Sequence, residues 1–186
     1  MRLLLSFILI CLLFLSIDTV AQCDLSRNGA HPNAVALMKE PFFWDSIDEN
    51  APFGNDAGSG AARNFCRWRK DHPLNAPITS LNEFLESWHM PLIAWDELDT
   101  NAIHRFITTP KDVIYLINQD EATIGTAFAQ FVTEGRLNPT LKTHAERSLQ
   151  RQMLPIVLRN IGTPGQQNLR KERFTKMLKI IQQAKP

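Results

Sequence analysis

Apolar residues recur every three or four positions along most of the chain, which places them on one face of an α-helix. The clearest stripes are Leu81, Phe84, Leu85 and Trp88, and Leu141, Ala145, Leu149 and Met153. Similar stripes are Ile124, Phe128, Phe131 and Val132, and Phe174, Met177, Leu178 and Ile181. The pattern predicts a mainly α fold: a single compact domain over residues 22–186, with about six to seven helices and one or two short strands at most.

Proline, glycine and capping residues indicate where these helices begin and end. We expect helices at residues 33–39, 56–70, 101–107 and 120–135, and others that start at Pro139 and Pro164. Asp56 is the expected N-cap of the second of these. Residues 80–83, Ser-Leu-Asn-Glu, have the pattern of a capping box that opens a further helix.

Two short apolar runs fit more than one structure. Residues 91–95 fit a strand or a loop, and residues 113–117 fit a strand or a buried helix. Periodicity alone does not distinguish these alternatives, because each run is shorter than two helical turns.

The first segment has the pattern of a secretory signal peptide. Arg2 precedes an apolar run over residues 3–17, and Thr19 and Ala21 are the small residues expected before a cleavage site. The second alternative is a transmembrane anchor, but the run is shorter than the roughly 20 residues that span a membrane. A lipoprotein signal is the third alternative because Cys23 lies close by, although Gln22 is not the small residue that such signals carry there. We therefore expect a signal peptide at residues 1–21, cleavage after Ala21, and a secreted or periplasmic protein.

Export changes the interpretation of the cysteines, since Cys11 would leave with the signal peptide. In an oxidising compartment the remaining pair, Cys23 and Cys66, is a disulfide candidate. The alternative is a free, buried Cys66 on a helix, with Cys23 in the terminal segment. Cysteine and histidine are too scattered for a zinc site, and we expect no metal and no cofactor.

Charge is divided unevenly between the two halves of the chain, although the net charge is only +1. Residues 22–121 carry 8 basic and 15 acidic residues, whereas residues 122–186 carry 11 basic and 3 acidic ones. The halves could attract each other where they pack. Alternatively, the basic run of the last helix is a solvated face, or it binds an acidic partner or an anionic membrane surface: Arg170, Lys171, Arg173, Lys176 and Lys179. Nucleic-acid binding is not expected, because we expect an exported protein.

Residues 31–69 contain the densest unusual chemistry, with acidic and aromatic side chains close together in sequence. Carboxylates beside large apolar groups can act as catalytic acids if they are buried, and the candidate catalytic residues are His31, Asp45, Asp48, Glu49 and Asp56. The carboxylates could also bind a cation such as Ca²⁺, but their spacing does not match the calcium-binding loop. A structural role is the third interpretation, with the aromatic residues in the core and the acids paired with Arg63, Arg67 or Arg69.

The same stretch, HPNA…FFWDSIDENAPFGNDAG with the later FCRWR, resembles small bacterial proteins of the YfeS type. The resemblance covers residues 31–69 and extends to residues 91–96, but not to the C-terminal half. It implies a shared fold around the FGND turn at residues 53–56, and it implies no reaction and no catalytic residues. The Trp-Gly-Arg motif that some of these proteins carry does not occur in this chain.

Neither a nucleophile elbow nor a phosphate-binding glycine loop occurs in the sequence. The leading hypothesis is a non-enzymatic, exported module of inhibitor or immunity type that binds another protein. Candidate partner contacts are Trp44, Phe53, Asn55, Arg170, Lys171 and Arg173. The alternative is a hydrolase or metal-assisted enzyme that uses the acidic residues 45–56 with His31. A weaker third hypothesis is contact of the last helix with an anionic membrane surface.

Overall fold

Helices account for all regular secondary structure of residues 23–186, the part of the chain that the computed structural model describes. In chain order they are α1 (Pro32–Leu37), a 3-10 helix (Pro41–Trp44), α2 (Asp56–Asp71), α3 (Pro77–Glu86), α4 (Thr100–Phe106), α5 (Pro110–Glu134), α6 (Pro139–Gln152), α7 (Pro155–Leu158) and α8 (Pro164–Gln183). The prediction of a single, mainly α domain is confirmed, with eight α-helices and with no strand among residues 23–186. The predicted signal peptide lies outside the described residues.

Most of these helices begin with a proline at their first position, where its missing N–H group costs nothing and its fixed φ suits the helix. The prolines are Pro32, Pro77, Pro110, Pro139, Pro155 and Pro164. The expected starts at Pro139 and Pro164 are confirmed, with Asn138 and Thr163 as N-caps. The expected short helices near residues 33–39 and 101–107 are confirmed as α1 and α4.

Two predicted caps are wrong. Asn55, not Asp56, caps α2, because its Oδ1 accepts a hydrogen bond from the Gly58 amide at 2.7 Å. The predicted capping box at residues 80–83 does not form, since α3 already begins at Pro77. Ser80 is buried inside that helix, where its hydroxyl accepts a hydrogen bond from Asn64 Nδ2 at 3.2 Å.

The predicted start of the longest helix at Asp120 is also wrong. α5 begins ten residues earlier at Pro110, because Thr109 and Asp112 form a capping box there. The ambiguous run at residues 113–117 is therefore helical, and Asp120 lies in the helix interior. The predicted end is confirmed by Gly135, which adopts a left-handed φ of 68°.

The second half of α5 is the centre of the main core, which is formed with α2, α3, α6 and α8. Every residue from 119 to 132 is buried. α2 crosses α5 at two glycines, and a Cβ on Gly125 would lie 2.6 Å from the Gly58 Cα. The predicted disulfide is confirmed: Cys23 and Cys66 are bonded, with their Cα atoms 5.7 Å apart, and join the segment before α1 to α2.

A second, smaller apolar cluster lies against the first half of α5, between α4, α7 and the segment that precedes α4. Its buried members are Ile93, Ile103, Leu116, Ile156 and Val157. The ambiguous residues 91–95 contribute Ile93 to it and form a loop. The fold is thus one helical domain in which a single long helix carries both the main core and this small cluster.

Candidate functional site

The aromatic and acidic stretch forms a tightly turned loop whose carboxylates bond mostly to their own backbone. Asp45 Oδ1 accepts hydrogen bonds from the Ile47 and Asp48 amides at 2.8 and 3.3 Å. Asp48 Oδ1 accepts one from the Asn50 amide at 2.9 Å. These bonds are typical of Asx turns, so the two aspartates shape the loop between the 3-10 helix and α2.

The remaining candidate acids do not join these aspartates in one site. Glu49 is exposed, and its backbone carbonyl accepts a hydrogen bond from Asn55 Nδ2 at 3.3 Å. Asp56 is exposed in the first turn of α2, where a negative charge suits the helix dipole. The expected ion pairs with Arg63, Arg67 or Arg69 are not observed: Asp48 pairs instead with Arg173 Nε at 3.5 Å, and Arg69 pairs with Glu134.

His31 is bound elsewhere, at the far end of α5. Its amide donates to the Val132 carbonyl at 2.7 Å, and its Nδ1 accepts from the Asn33 amide at 3.1 Å as the N-cap of α1. Val132 lies about 16 Å along the helix from Glu121, beside which the acidic loop packs through Asn50 and Arg170. In the described part of the chain, no hydrogen bond or ion pair connects His31 with the four candidate acids.

Most of the predicted partner contacts face the interior. Trp44 is half-buried and donates from Nε1 to the Met38 carbonyl at 2.9 Å, and Phe53 is buried in the main core. Asn55 is the cap of α2, and Arg170 is buried. Of the six residues, Lys171 alone is exposed, since Arg173 is partly covered and lies 4.2 Å over the Phe42 ring.

Three of the five residues in the basic run of α8, Arg170, Arg173 and Lys176, form ion pairs with acids from the first half of the chain. Arg173 pairs with Asp48, and Lys176 Nζ lies 2.7 Å from Glu40 and 2.8 Å from Glu172. The hydrogen bonds to Glu172 and Glu40 raise the pKa of Lys176. Basic residues of the second half of the chain therefore pair with acidic residues of the first half where the two pack. This agrees with the first interpretation of the uneven charge distribution, that the two halves attract each other.

Sequence reasoning missed a buried polar network at the centre of the fold, formed by Gln119, Asp120, Glu121, Arg151, Gln152 and Arg170. Arg151 and Asp120 are fully buried, and Arg151 Nε lies 3.2 Å from both Asp120 carboxylate oxygens. Gln152 connects this pair to a second one, because it donates to Asp120 at 2.8 Å and accepts from Arg170 at 2.8 Å. Two adjacent acids of α5 are thus neutralised by arginines from α6 and α8.

Glu121 and Arg170 of the second pair are both buried. Burial raises the pKa of its carboxyl group, and the guanidinium of Arg170, whose Nη2 lies 2.9 Å away, opposes this shift. Arg170 also lies 4.3 Å over the Phe174 ring and within 3.4 Å of Asn50 Oδ1. The network therefore extends from the core to the acidic loop.

In the other direction, the network holds the segment that leads to the small cluster. Gln119 exchanges two hydrogen bonds with the Ile93 backbone, both at 2.9 Å. Arg151 Nη1 donates to the Ala94 and Glu97 carbonyls, each at 3.0 Å. The Trp95 ring stacks on His144, with 4.7 Å between centroids. Residues 93–97 are thus fixed to α5 and α6 by polar contacts and one ring stack.

A signal for this network is present in the sequence. Asp120 lies four residues before Ile124 and eight before Phe128, so it belongs to the apolar face that predicts burial. A charge on such a face requires a buried partner. The partner was not identifiable, because Arg151 is distant in sequence and the helix crossing that brings it to Asp120 is a tertiary feature.

An open groove of about 800 Å³ lies beside the small cluster. Its apolar lining is aliphatic and includes Ile107, Val113, Ile114, Ile117 and Ile156. Threonines and asparagines form much of the rest: Thr100, Asn101, Thr108, Thr109 and Asn160. We call this surface, between α4, the first turns of α5 and α7, the groove.

Two features of the groove indicate a ligand surface. Ile114 is 56% exposed and lies among the other aliphatic side chains of the lining, so the groove presents a contiguous apolar surface to solvent. The ionisable side chains of the lining are His104 and Arg159, and both are exposed. Neither makes a side-chain hydrogen bond or ion pair within residues 23–186. The groove thus combines an aliphatic floor with two exposed ionisable side chains, His104 and Arg159, that make no such contact.

Residues 23–186 contain no group of three or more histidine, cysteine, aspartate or glutamate side chains arranged to hold a metal ion. No helix of this part of the chain has the length and hydropathy needed to cross a bilayer. Comparison of the chain with protein-family models, with curated proteins and with solved structures found no match. The resemblance to proteins of the YfeS type therefore stays a prediction.

Proposed function

We propose that this chain is an exported, non-enzymatic module of inhibitor or immunity type, and that it binds another protein through the groove. The observation that carries the proposal is the exposed aliphatic floor around Ile114. Burying such a surface supplies about 25 cal/mol per Å². A partner with matching aliphatic side chains would therefore bind there without any change in the main core.

The proposed occupant is a short segment of the partner, with aliphatic side chains on the face that enters the groove. The groove is framed by α4, α5 and α7, and helix-framed grooves commonly accept amphipathic segments. Its rim also carries His104 and Arg159, so a segment with complementary negative charge would be favoured over a basic one.

Export is supported by the bonded cysteines. Disulfides persist in oxidising compartments and are rare in the reducing cytosol. Cys23 and Cys66 are bonded, and Cys23 follows the predicted cleavage site after Ala21 almost directly. A partner would accordingly be sought in the envelope or the extracellular medium.

Photo-crosslinking in the native host tests the docking site directly. A benzoyl-phenylalanine at position 114 should give adducts with a second protein, and Ile114→Glu should prevent capture of the same protein by the tagged chain. The matched control is Leu74, which is 94% exposed but lies outside the groove. Neither a crosslinker at 74 nor Leu74→Glu should have these effects.

Other outcomes would contradict the proposal in distinguishable ways. If the crosslinked adducts contain two copies of this chain, the groove mediates self-association and the proposed foreign partner is wrong. Capture that survives Ile114→Glu but is lost on Ile47→Glu would move the interface to the acidic loop, where Ile47 is 84% exposed. Turnover of a substrate that requires Asp45 and Asp48 would replace the binding module by an enzyme.

A further inference from the structure

The arginine that lines the groove differs from the arginines around the main core in its side-chain contacts. Arg151 and Arg170 are each satisfied by a buried acid, and Arg173 pairs with Asp48. Arg159 follows α7 at the groove and makes no such side-chain contact within the described residues. Because Arg159 lines the groove and is exposed, its guanidinium is available to an external anion there.

The two carboxylates next to lining residues in sequence, Asp99 and Asp112, are not part of the groove lining. Asp112 Oδ2 accepts hydrogen bonds from the Thr108 and Thr109 amides at 3.1 and 2.7 Å, and from both hydroxyls at 2.9 Å. These bonds, the side-chain bond of Thr108 first, lower the pKa of Asp112. Asp112 Oδ2 is therefore used by the capping box of α5, and Asp99 Oδ1 accepts from the Ala102 amide at 2.8 Å as the N-cap of α4.

The groove also contains polar groups that can assist an anion. The His104 ring can donate a hydrogen bond, as can the side chains of Thr100 and Asn101 from α4. Asn160 is less suitable, because its Nδ2 already donates to the Ile156 carbonyl at 2.8 Å. Arginine binds carboxylates with charge-assisted, often bidentate hydrogen bonds, so it gives geometry as well as attraction.

We propose, on the basis of the function proposed above, that the partner segment is acidic: it places aliphatic side chains on the floor around Ile114 and one carboxylate at Arg159. The aliphatic lining rejects polar side chains, and Arg159 with His104 selects an Asp or Glu over a neutral or basic residue. Arg159 is thus the specificity-determining residue of the groove.

Selection from a phage library of random 15-residue peptides tests this chemistry without knowledge of the natural partner. Peptides that bind the wild-type chain but not the Ile114→Glu variant should combine Leu, Ile or Val with Asp or Glu. Arg159→Met should lower the affinity for a selected peptide by about tenfold. Replacing the peptide's acidic residue by the corresponding amide should lower its affinity for the wild-type chain by a similar factor, and should hardly change its affinity for the Arg159→Met variant.

Arg105→Met is the matched control, because Arg105 is an exposed arginine on α4 that does not line the groove. It removes the same charge and should change the affinity less than twofold, whereas Arg159→Lys should restore most of what Arg159→Met loses. Peptides that need Ile114 but lack acids, or that bind Arg159→Met unchanged, would overturn the inference. Such a result would leave the docking site itself intact.

A competition experiment with dodecanoate distinguishes two possible ligands of the groove, an acidic protein segment and a free aliphatic acid. Both combine an apolar part with a carboxylate. The proposal predicts that dodecanoate competes weakly with selected peptides and that dodecanol of equal length does not. If no peptide depends on Ile114, while dodecanoate alone binds and requires Arg159, the ligand is a free aliphatic acid and the proposed protein partner is wrong.

Discussion

The main core and the small cluster are built on the same helix, yet different forces hold them. Around the second half of α5, buried aromatic and aliphatic side chains from four other helices pack together, and a disulfide adds a covalent link. Around the first half, five buried aliphatic residues form a small cluster, and residues 93–97 are fixed by Gln119 and Arg151. Apolar packing thus stabilises one region, while the other depends on a few polar contacts.

This difference agrees with the proposed function, in which the main core stabilises the fold and the groove beside the small cluster binds the partner. Regions with few buried contacts open at lower free energy than the global unfolding, and binding surfaces are commonly drawn from them. The groove lies beside the small cluster and shares Ile156 with it. The buried network connects the two regions, since Arg151 contacts both Asp120 and the 93–97 segment.

Breaking the buried pair should have the largest effect. Arg151→Met leaves the Asp120 carboxylate buried with Gln152 as its remaining side-chain partner, and we expect a loss of about 3–5 kcal/mol in the free energy of unfolding. Urea denaturation measures the loss, and hydrogen exchange should show residues 91–107 losing protection before α2. Arg159→Met, an exposed control, should change stability by less than about 0.5 kcal/mol.

A double variant sharpens this test. In Asp120→Leu/Arg151→Met no charge is left buried at this pair, so much of the loss should be recovered. If the double variant is as unstable as Arg151→Met, the contacts of Arg151 with the 93–97 carbonyls are the important ones. If residues 91–107 and α2 lose hydrogen-exchange protection together in Arg151→Met, the main core and the small cluster do not differ in the way we describe.

Removal of the disulfide should act on the main core alone. The bond closes a loop of 43 residues, and the chain-entropy model gives about 4 kcal/mol for a loop of this length. Cys23→Ala/Cys66→Ala should therefore lose about 2–4 kcal/mol by urea denaturation. The affinity of the groove for a selected peptide should not change under folding conditions, and a parallel loss of affinity would show that the two regions are coupled more tightly than we expect.

A methyl group at the crossing of α2 and α5 should cost less. In Gly125→Ala the new Cβ would meet Gly58 backbone at 2.6 Å, which cannot move without separating the helices, so we expect a loss of about 1–3 kcal/mol. Gly60→Ala is the control on α2, because its Cβ would meet only the Phe84 side chain at 3.2 Å. Thermal unfolding compares the two, and a milder effect at Gly125 than at Gly60 would contradict close packing at this crossing.

The smallest expected effect is a pH dependence from His144 beside the 93–97 segment. Burial, with Arg151, lowers the pKa of His144, while Asp96 opposes the shift. The unfolded chain then takes up a proton first, near its usual pKa of about 6.5, so stability falls as the pH drops from that value through the lowered one. His144→Phe keeps a ring on Trp95 but does not titrate, and its stability should vary less between pH 7.5 and 5.5 than that of the wild-type chain.

Local signals in the sequence located most helix ends, and they failed where two signals competed. Gly135 ends α5 and Asn138 starts α6 as predicted, because a left-handed glycine and an N-cap act within one turn. Ser80 has the sequence of a cap, but Pro77 had already begun the helix. The helix start predicted at Asp120 is wrong, since this acid lies in the helix interior and its partner, Arg151, comes from another helix.

The candidate sites show the same limit. His31 and the acidic loop are neighbours in sequence, but they bind to different parts of α5, so proximity along the chain did not become proximity in space. Arg170 is predicted as a partner contact because it belongs to the basic run of the last helix, yet it is buried against Glu121. The groove was not foreseen at all, because its lining comes from three separate segments.

The sequence by itself determined that this is a mainly helical domain and where most helices end, and it made Cys23 and Cys66 a disulfide candidate. Periodicity, capping and proline act over a few residues, so they are readable along the chain. The tertiary structure alone decided which charges are buried, which are paired across the halves, and which arginine stays free at the groove. Those outcomes depend on distances between residues far apart in the chain, and such distances exist only once the helices have packed.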